Sequence, residues 1–350
     1  MENNCFFSTA NSGNGFVNFN DVIYRDLEHF YIIKGGPGTG KSSFLKKLNK
    51  EALKRNFNTE CFLCSSDPKS LDGLIINGRI GIIDGTSPHN ADTVFPGIRD
   101  NIINLGMFWN DKILRKNKEI ISELSNRKSQ MYNKLYLFLQ SALNIEKAEI
   151  KASYEHFNFE KADKKINAFL SGLGKEYVPY SEKIRLTNAI CADGDLRLLP
   201  FDDDINRNIR LNCYHYFEYL YLEILKKKLC EKKISHIVGY DALNTDKINY
   251  IYLTQYNTSI TLPKYEHALN KTLNLKLYEK NKFSKKELSE LKELEKIKKH
   301  ILDLSYGFIG EISVIHSDIE ELYKDAMNFR KKEKYEKAMI NEILSLIDVD

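Results

Sequence analysis

The chain has 350 residues, 42% hydrophobic and 29% charged, and its 52 basic and 48 acidic residues are interleaved to a net charge of +4. That size allows one large domain or two ordinary ones, the composition is that of a globular protein, and the charge is too mild and too mixed to support nucleic-acid binding. The start, Met1 to Phe7, lacks the basic and apolar regions of a signal peptide, no apolar run reaches bilayer length, and six scattered cysteines fit the reduced thiols of a cytoplasmic protein with no membrane partner.

His29–Lys34 (HFYIIK) is an aromatic and β-branched run that reads as a buried strand. Gly35-Gly36-Pro37-Gly38-Thr39-Gly40-Lys41-Ser42 follows, a full match to G-x-x-x-x-G-K-[ST]. Phe44–Leu53 then sets apolar residues 44, 45, 48, 52 and 53 on one helical face. Strand, glycine loop and helix thus come in the order of a phosphate-binding P-loop. The glycines let the backbone curl close to a phosphate, and its N–H groups converge there with the positive end of the helix dipole. Lys41 is expected to bridge β- and γ-phosphate oxygens in a catalytic role. Ser42 is expected to offer its hydroxyl to Mg²⁺, and the loop through Ser43 to hold a nucleoside triphosphate. No Asn-Lys-x-Asp stretch supports guanine, so ATP with Mg²⁺ is the default.

Glu60–Cys64 (ECFLC) reads as the next strand. Its C-x-x-C is expected to be buried strand cysteines, since no second pair or His-x-x-x-His accompanies it; a zinc or redox site is the alternative. Arg79–Asp84 (RIGIID) is an apolar run ending in a carboxylate, the place where a P-loop protein holds the Mg²⁺ hydration shell; an ordinary turn at Asp84-Gly85 is the alternative. Gly85 stands where many ATPases carry a water-activating Glu. Asp67, before Pro68, and His89, after Pro88, are therefore nominated as catalytic bases at the carboxyl edge of the sheet, with turn chemistry as the alternative for each.

Two long amphipathic stretches follow, one marked by Ile120, Leu124, Met131, Leu135, Phe138, Ala142 and Ile145, the other by Leu288, Leu291, Leu294, Ile297, Ile301 and Leu304. Each is expected to pack as an antiparallel hairpin. They end alike: Phe157-Asn158-Phe159 matches Met327-Asn328-Phe329, and Ala168-Phe169-Leu170 matches Ala338-Met339-Ile340. Ala10 and Gly15 match Ala189 and Gly194, and Asp67 and Asp72 match Asp241 and Asp246. The self-similarity predicts a duplicated chain. Residues 1–182 would form a P-loop domain with a helical insertion at about 110–172. Residues 183–350 would form a degenerate repeat with a helical segment at about 280–348. Asn208–Tyr216 in the second copy has neither glycine nor a Lys-Ser pair, so it is not expected to bind a triphosphate in the same way. Arg207 or Arg210 is the candidate for an arginine finger reaching across.

Four segments carry a family resemblance: Gly15–Phe19, Lys34–Ser42, Cys64–Gly73 and Asp84–His89. Over residues 5 to 110 the chain resembles a bacterial family of duplicated P-loop proteins described as ATPases or nucleotide kinases. The resemblance implies an α/β P-loop NTPase fold with a mainly parallel sheet in each half and a helical insertion after the third strand. Members often keep a glycine loop in both halves, and this chain departs from them in its second. The functions to weigh are a Mg·ATP-hydrolysing switch and a kinase for a nucleoside or other small acceptor. For the kinase, Arg79 and Arg99 are the nearest basic residues. A nucleotide-sensing scaffold with a protein partner is the third, and a homo-oligomer stays open.

Overall fold

The computed structural model describes residues 4–347 other than 90, 175–178, 199, 202–204 and 263–269. The chain opens with β1 (Cys5–Phe7), the hairpin β2 (Thr9–Ser12) and β3 (Gly15–Asn18), and the short helix α1 (Asn20–Ile23). Next come β4 (His29–Lys34), helix α2 (Lys41–Lys54), and β5 (Thr59–Leu63), β6 (Leu71–Ile76) and β7 (Ile80–Asp84). The edge strand β8 (Asp100–Asn104) leads through α3 (Asp111–Lys116) into the long α4 (Lys118–Tyr154) and the shorter α5 (Phe159–Ser171). The second half gives β9 (Glu182–Leu186), β10 (Asn188–Cys191), β11 (Gly194–Arg197), β12 (Arg207–Leu211) and α6 (Phe217–Glu231). It continues with β13 (His236–Tyr240), β14 (Ile248–Leu253), β15 (Thr258–Thr261) and β16 (Asn270–Leu273). The long α7 (Lys285–Lys324) and α8 (Phe329–Ser345) close the chain.

The fold is α/β around one twelve-stranded mixed sheet, ordered β16-β12-β15-β14-β13-β9-β1-β5-β6-β7-β4-β8. Pairs β1–β5, β4–β7 and β4–β8 are parallel, as are β9–β13, β12–β15 and β12–β16; the five other pairings are antiparallel. Read outward from the central β1–β9 contact at Phe7 and Leu186, the two halves list their strands in the same order. β4 is buried on both faces: Tyr31 and Ile33 meet Phe44, Leu45 and Leu48 of α2, while Phe30 and Ile32 meet Tyr24 and Phe62.

The helices exchange between the halves. Phe157, Ala162, Ile166 and Leu170, in and before α5, pack against Phe217, Leu222 and Leu225 of α6. Ile340, Ile343 and Leu344 of α8 pack against α2. The entry turns match. Asn158 and Asn328 each cap a helix through the side chain, and their N–H groups donate to Tyr278 O (2.7 Å) and Phe108 O (2.9 Å) of the opposite half.

The long helices are not hairpins with their own short followers. α4 and α7 pair with each other, and the contacts Lys128–His316, Phe138–Phe308 and Glu149–Lys298 run in reverse order, so the pair is antiparallel. The buried residues of α7 are Leu291, Ser305, Ile309, Ile312, Ile315 and Ile319; of the positions marked by periodicity Leu291, Leu135 and Ala142 are buried, whereas Ile297, Leu304 and Ile120 are exposed. Periodicity marks part of the buried face of each helix but not the later turns of α7. The match of Asp67 and Asp72 to Asp241 and Asp246 is also shifted. Asp72 is the second residue of β6, and the second residue of β14 is Asn249. No helix among the described residues is long and apolar enough to cross a membrane.

Candidate functional site at the glycine loop

The turn from β4 into α2 is shaped by its glycines. Gly38 (φ +69°) and Gly40 (φ +82°) are left-handed, and Gly40 is the residue on which α2 begins. Thr39 is fully buried and donates its hydroxyl to Gly36 O at 2.9 Å, which braces the curl. The Lys41 ammonium folds back over the loop, 2.9 Å from both Gly35 O and Gly36 O, and lies 3.5 Å from Asp84 Oδ2. Ser42 Oγ accepts from Leu71 N at 2.9 Å, tying the first turn of α2 to the start of β6; Ser43 is exposed beside it. Pro37 is half-buried.

Asp84 ends β7, and its Cα partner is Ile33 on β4, so the parallel pairing delivers it beside the loop. Its Oδ1 accepts from the N–H and the hydroxyl of Thr86. β6 runs antiparallel to β7 with Gly73 opposite Ile83, which sets Asp72 at the same edge. Asp72 is buried, and its Oδ2 has no hydrogen bond, although His89 Nε2 stands 3.3 Å away outside hydrogen-bonding alignment. Burial pushes the Asp72 carboxyl up to about 6; the Asp84 charge adds to this, and His89, Cys64 and Lys41 oppose it. His89 is itself buried, with its ring edge-on to Phe16 and its main-chain N–H bonded to Thr86 O.

Asp67 stands in the turn before β6, and its charge is felt at His316. It is exposed, and its carboxylate accepts from Lys69 N and Ser70 Oγ within its own turn. Cys61, within β5, and Cys64, just after it, are in no disulfide, and burial raises the Cys64 thiol well above its ordinary value. Arg79 and Arg99 precede β7 and β8, so both sit at the edge opposite the loop, paired with Glu28 and Asp100. Arg207 lies over the Phe169 ring, and Arg210 is in β12. Neither supplies an arginine finger to the first loop.

The sequence pattern does not mark Asp72 or the wall that Trp109 and the other half build around the loop. A β-carbon on Gly36 would touch Trp109 and Tyr323, and one on Gly38 would touch Glu320 O and Lys324. One on Gly40 would meet the ammonium of Lys332. Lys332 is buried and paired with Glu336 at 2.8 Å; Glu336 also holds Lys47 of α2 at 2.9 Å. On the helix pair, Lys128 Nζ is 3.4 Å from His316 Nδ1. Both have lowered pKa values, chiefly from burial, with the Lys41 charge contributing to each. The Lys41 ammonium folded over the loop, with the Lys332 ammonium beside Gly40, is an arrangement that can hold a polyanion.

The loop of the second half, Asn212–Tyr216, is closed by its own side chains. His215 (φ +50°) and Tyr216 (φ +63°) are left-handed without being glycine, and Tyr216 starts α6 as Gly40 starts α2. The Tyr216 hydroxyl bonds Glu149 of α4 at 2.7 Å and the Lys298 ammonium of α7. No family model matches the chain, and no curated protein or solved structure matches it either.

Proposed function

We propose that this chain is a Mg·ATP-dependent ATPase built from two P-loop-like halves, of which the first binds and hydrolyses nucleotide and the second is a structural partner. The convergence of Lys41, Ser42 and Asp84 at the carboxyl ends of β4 and β7 carries this reading. The mirrored strand order and the exchanged, equally capped α5 and α8 support a duplicated origin.

The donor set suits the proposed cofactor. The Ser42 hydroxyl and the Asp84 carboxylate are hard oxygen donors of the kind Mg²⁺ takes, and the Oδ2 of Asp72 at the same edge is a buried acceptor without a hydrogen bond. Bound Mg·ATP supplies the electrophilic γ-phosphorus and its leaving group. Lys41 exchanges its bonds to Gly35 O and Gly36 O for phosphate oxygens and stabilises the charge that builds there. Asp72, rather than Asp67, takes the proton of the attacking water, because its raised pKa keeps it a competent base near neutrality. His89 orients it. Hydrolysis is favoured over transfer to a small acceptor because Arg79 and Arg99 face away from the loop. Six cysteines outside any disulfide fit a cytoplasmic setting.

Phosphate release from Mg·ATP by the purified protein beside Lys41→Ala tests the reading. Turnover that falls by about 10² or more in the variant is expected. Wild-type turnover that persists in the variant, or bound ATP with no turnover in either, would replace hydrolysis with another site or with nucleotide sensing.

A further inference from the structure

The second half carries a cluster of ligating side chains at the amino ends of β9 and β13, the edge opposite its Tyr216 loop. Glu182 and His236 are Cα partners on these adjacent parallel strands, so their side chains leave the same face. The last turn of α6 brings Cys230 to them. One ligating atom from each residue lies within 4.8 Å of the others.

His236 shows that the cluster wants a ligand. The ring is fully buried and its Nδ1 lies 2.7 Å from Ile234 O, which fixes the ring proton on Nδ1 and leaves a lone pair on Nε2. Nε2 has no hydrogen-bond partner. A neutral imidazole held from behind by a carbonyl, with its other nitrogen free, is the arrangement of a metal-ligating histidine. Glu182 is oriented in the same way. Lys226 Nζ holds Oε1 at 3.2 Å, and Oε2 faces Cys230 Sγ at 3.5 Å.

We propose that Cys230 Sγ, His236 Nε2 and Glu182 Oε2 bind a divalent transition-metal cation of the Zn²⁺ class. A sulfur, a nitrogen and a single carboxylate oxygen form a donor set for Zn²⁺ rather than for Mg²⁺ or Ca²⁺. Binding drives the Cys230 thiol proton to solvent, and the thiolate and carboxylate then neutralise the dication. Glu182 is exposed and Cys230 half-buried, so the fourth position of a tetrahedral site opens to water. The ion would pin the end of α6 to the starts of two sheet strands, far from the glycine loop.

The test uses the full chain, stripped with a chelator and titrated with Co²⁺. A single equivalent should give sulfur-to-cobalt charge-transfer absorption that Zn²⁺ removes and that Cys230→Ser lacks. Glu182→Gln should keep the band but weaken binding by about tenfold or more. These variants are chosen because a change at the fully buried His236 could unfold the protein. Absence of the band in the wild type, or a band of equal strength in Cys230→Ser, would overturn the assignment.

Discussion

Gly38 of the glycine loop lies against the main-chain carbonyl of Glu320 in α7: a β-carbon there would come within 2.5 Å of that oxygen. Its φ of +69° is also in the left-handed region. Gly38→Ala therefore carries a conformational cost of about 1–2 kcal/mol and a clash with backbone that cannot swing aside. The variant should melt several degrees below the wild type and bind Mg·ATP more weakly. An unchanged melting temperature would mean that α7 does not rest on the loop.

The raised pKa of Asp72 makes a prediction with a definite sign. Its folded-state value of about 6 lies above the ordinary 3.8, so the folded state holds the proton more tightly than the unfolded chain does. The stability this confers is fully present below pH 4 and is lost as pH rises to 6. Above that, the ionised carboxylate costs roughly 3 kcal/mol, and near pH 5 about half as much. Asp72→Asn should therefore stabilise the protein more at pH 8 than at pH 5 while lowering ATP turnover. Equal gains at both values, from denaturant melts, would count against the shift.

In the second half, Glu149 is almost fully buried beside the Lys298 ammonium and the Tyr216 hydroxyl. Lys298→Met strands that carboxylate and should cost about 3 kcal/mol, because one hydrogen bond from Tyr216 remains. Glu149→Gln combined with Lys298→Met should recover part of the loss. A double variant as unstable as the single would show that packing, not charge, sets the cost.

The exchanged helices predict that the halves do not fold alone. Without residues 183–350 the α2 face loses Ile340, Ile343 and Leu344, and α5 loses its seat on α6. A fragment of residues 1–182 should lack a cooperative melting transition and regain one when mixed with the complementary fragment. A sharp transition in the isolated fragment would contradict this.

The loop and Asp84 were legible in the sequence because their chemistry is written in contiguous residues, a strand followed by glycines or a strand ending in a carboxylate. Asp72 was not, because it reaches the site through the register of the β5–β6–β7 meander, which sets Gly73 opposite Ile83. Asp67, the carboxylate that the sequence does offer as a base, is tied to Lys69 and Ser70 within its own turn. The pairing of α4 with α7 escaped for a related reason. Hydrophobic spacing gives a helix its apolar face but does not say which helix will cover it. The closed second loop was readable as a loss of glycine, whereas the bonding of Tyr216 to Glu149 and Lys298 depends on a left-handed backbone that a tyrosine seldom adopts.

Trp109 is the only tryptophan in the chain, and its ring packs against Gly36 of the glycine loop, where a β-carbon would stand 3.2 Å from it. Its fluorescence during a Mg·ATP titration tests nucleotide binding at Gly35–Ser42 most directly. The account predicts a saturable change in the wild type whose midpoint moves by about tenfold or more in Lys41→Ala, as expected for loss of a charge-assisted phosphate contact. No saturable change at millimolar Mg·ATP, or identical curves for the two proteins, would contradict it.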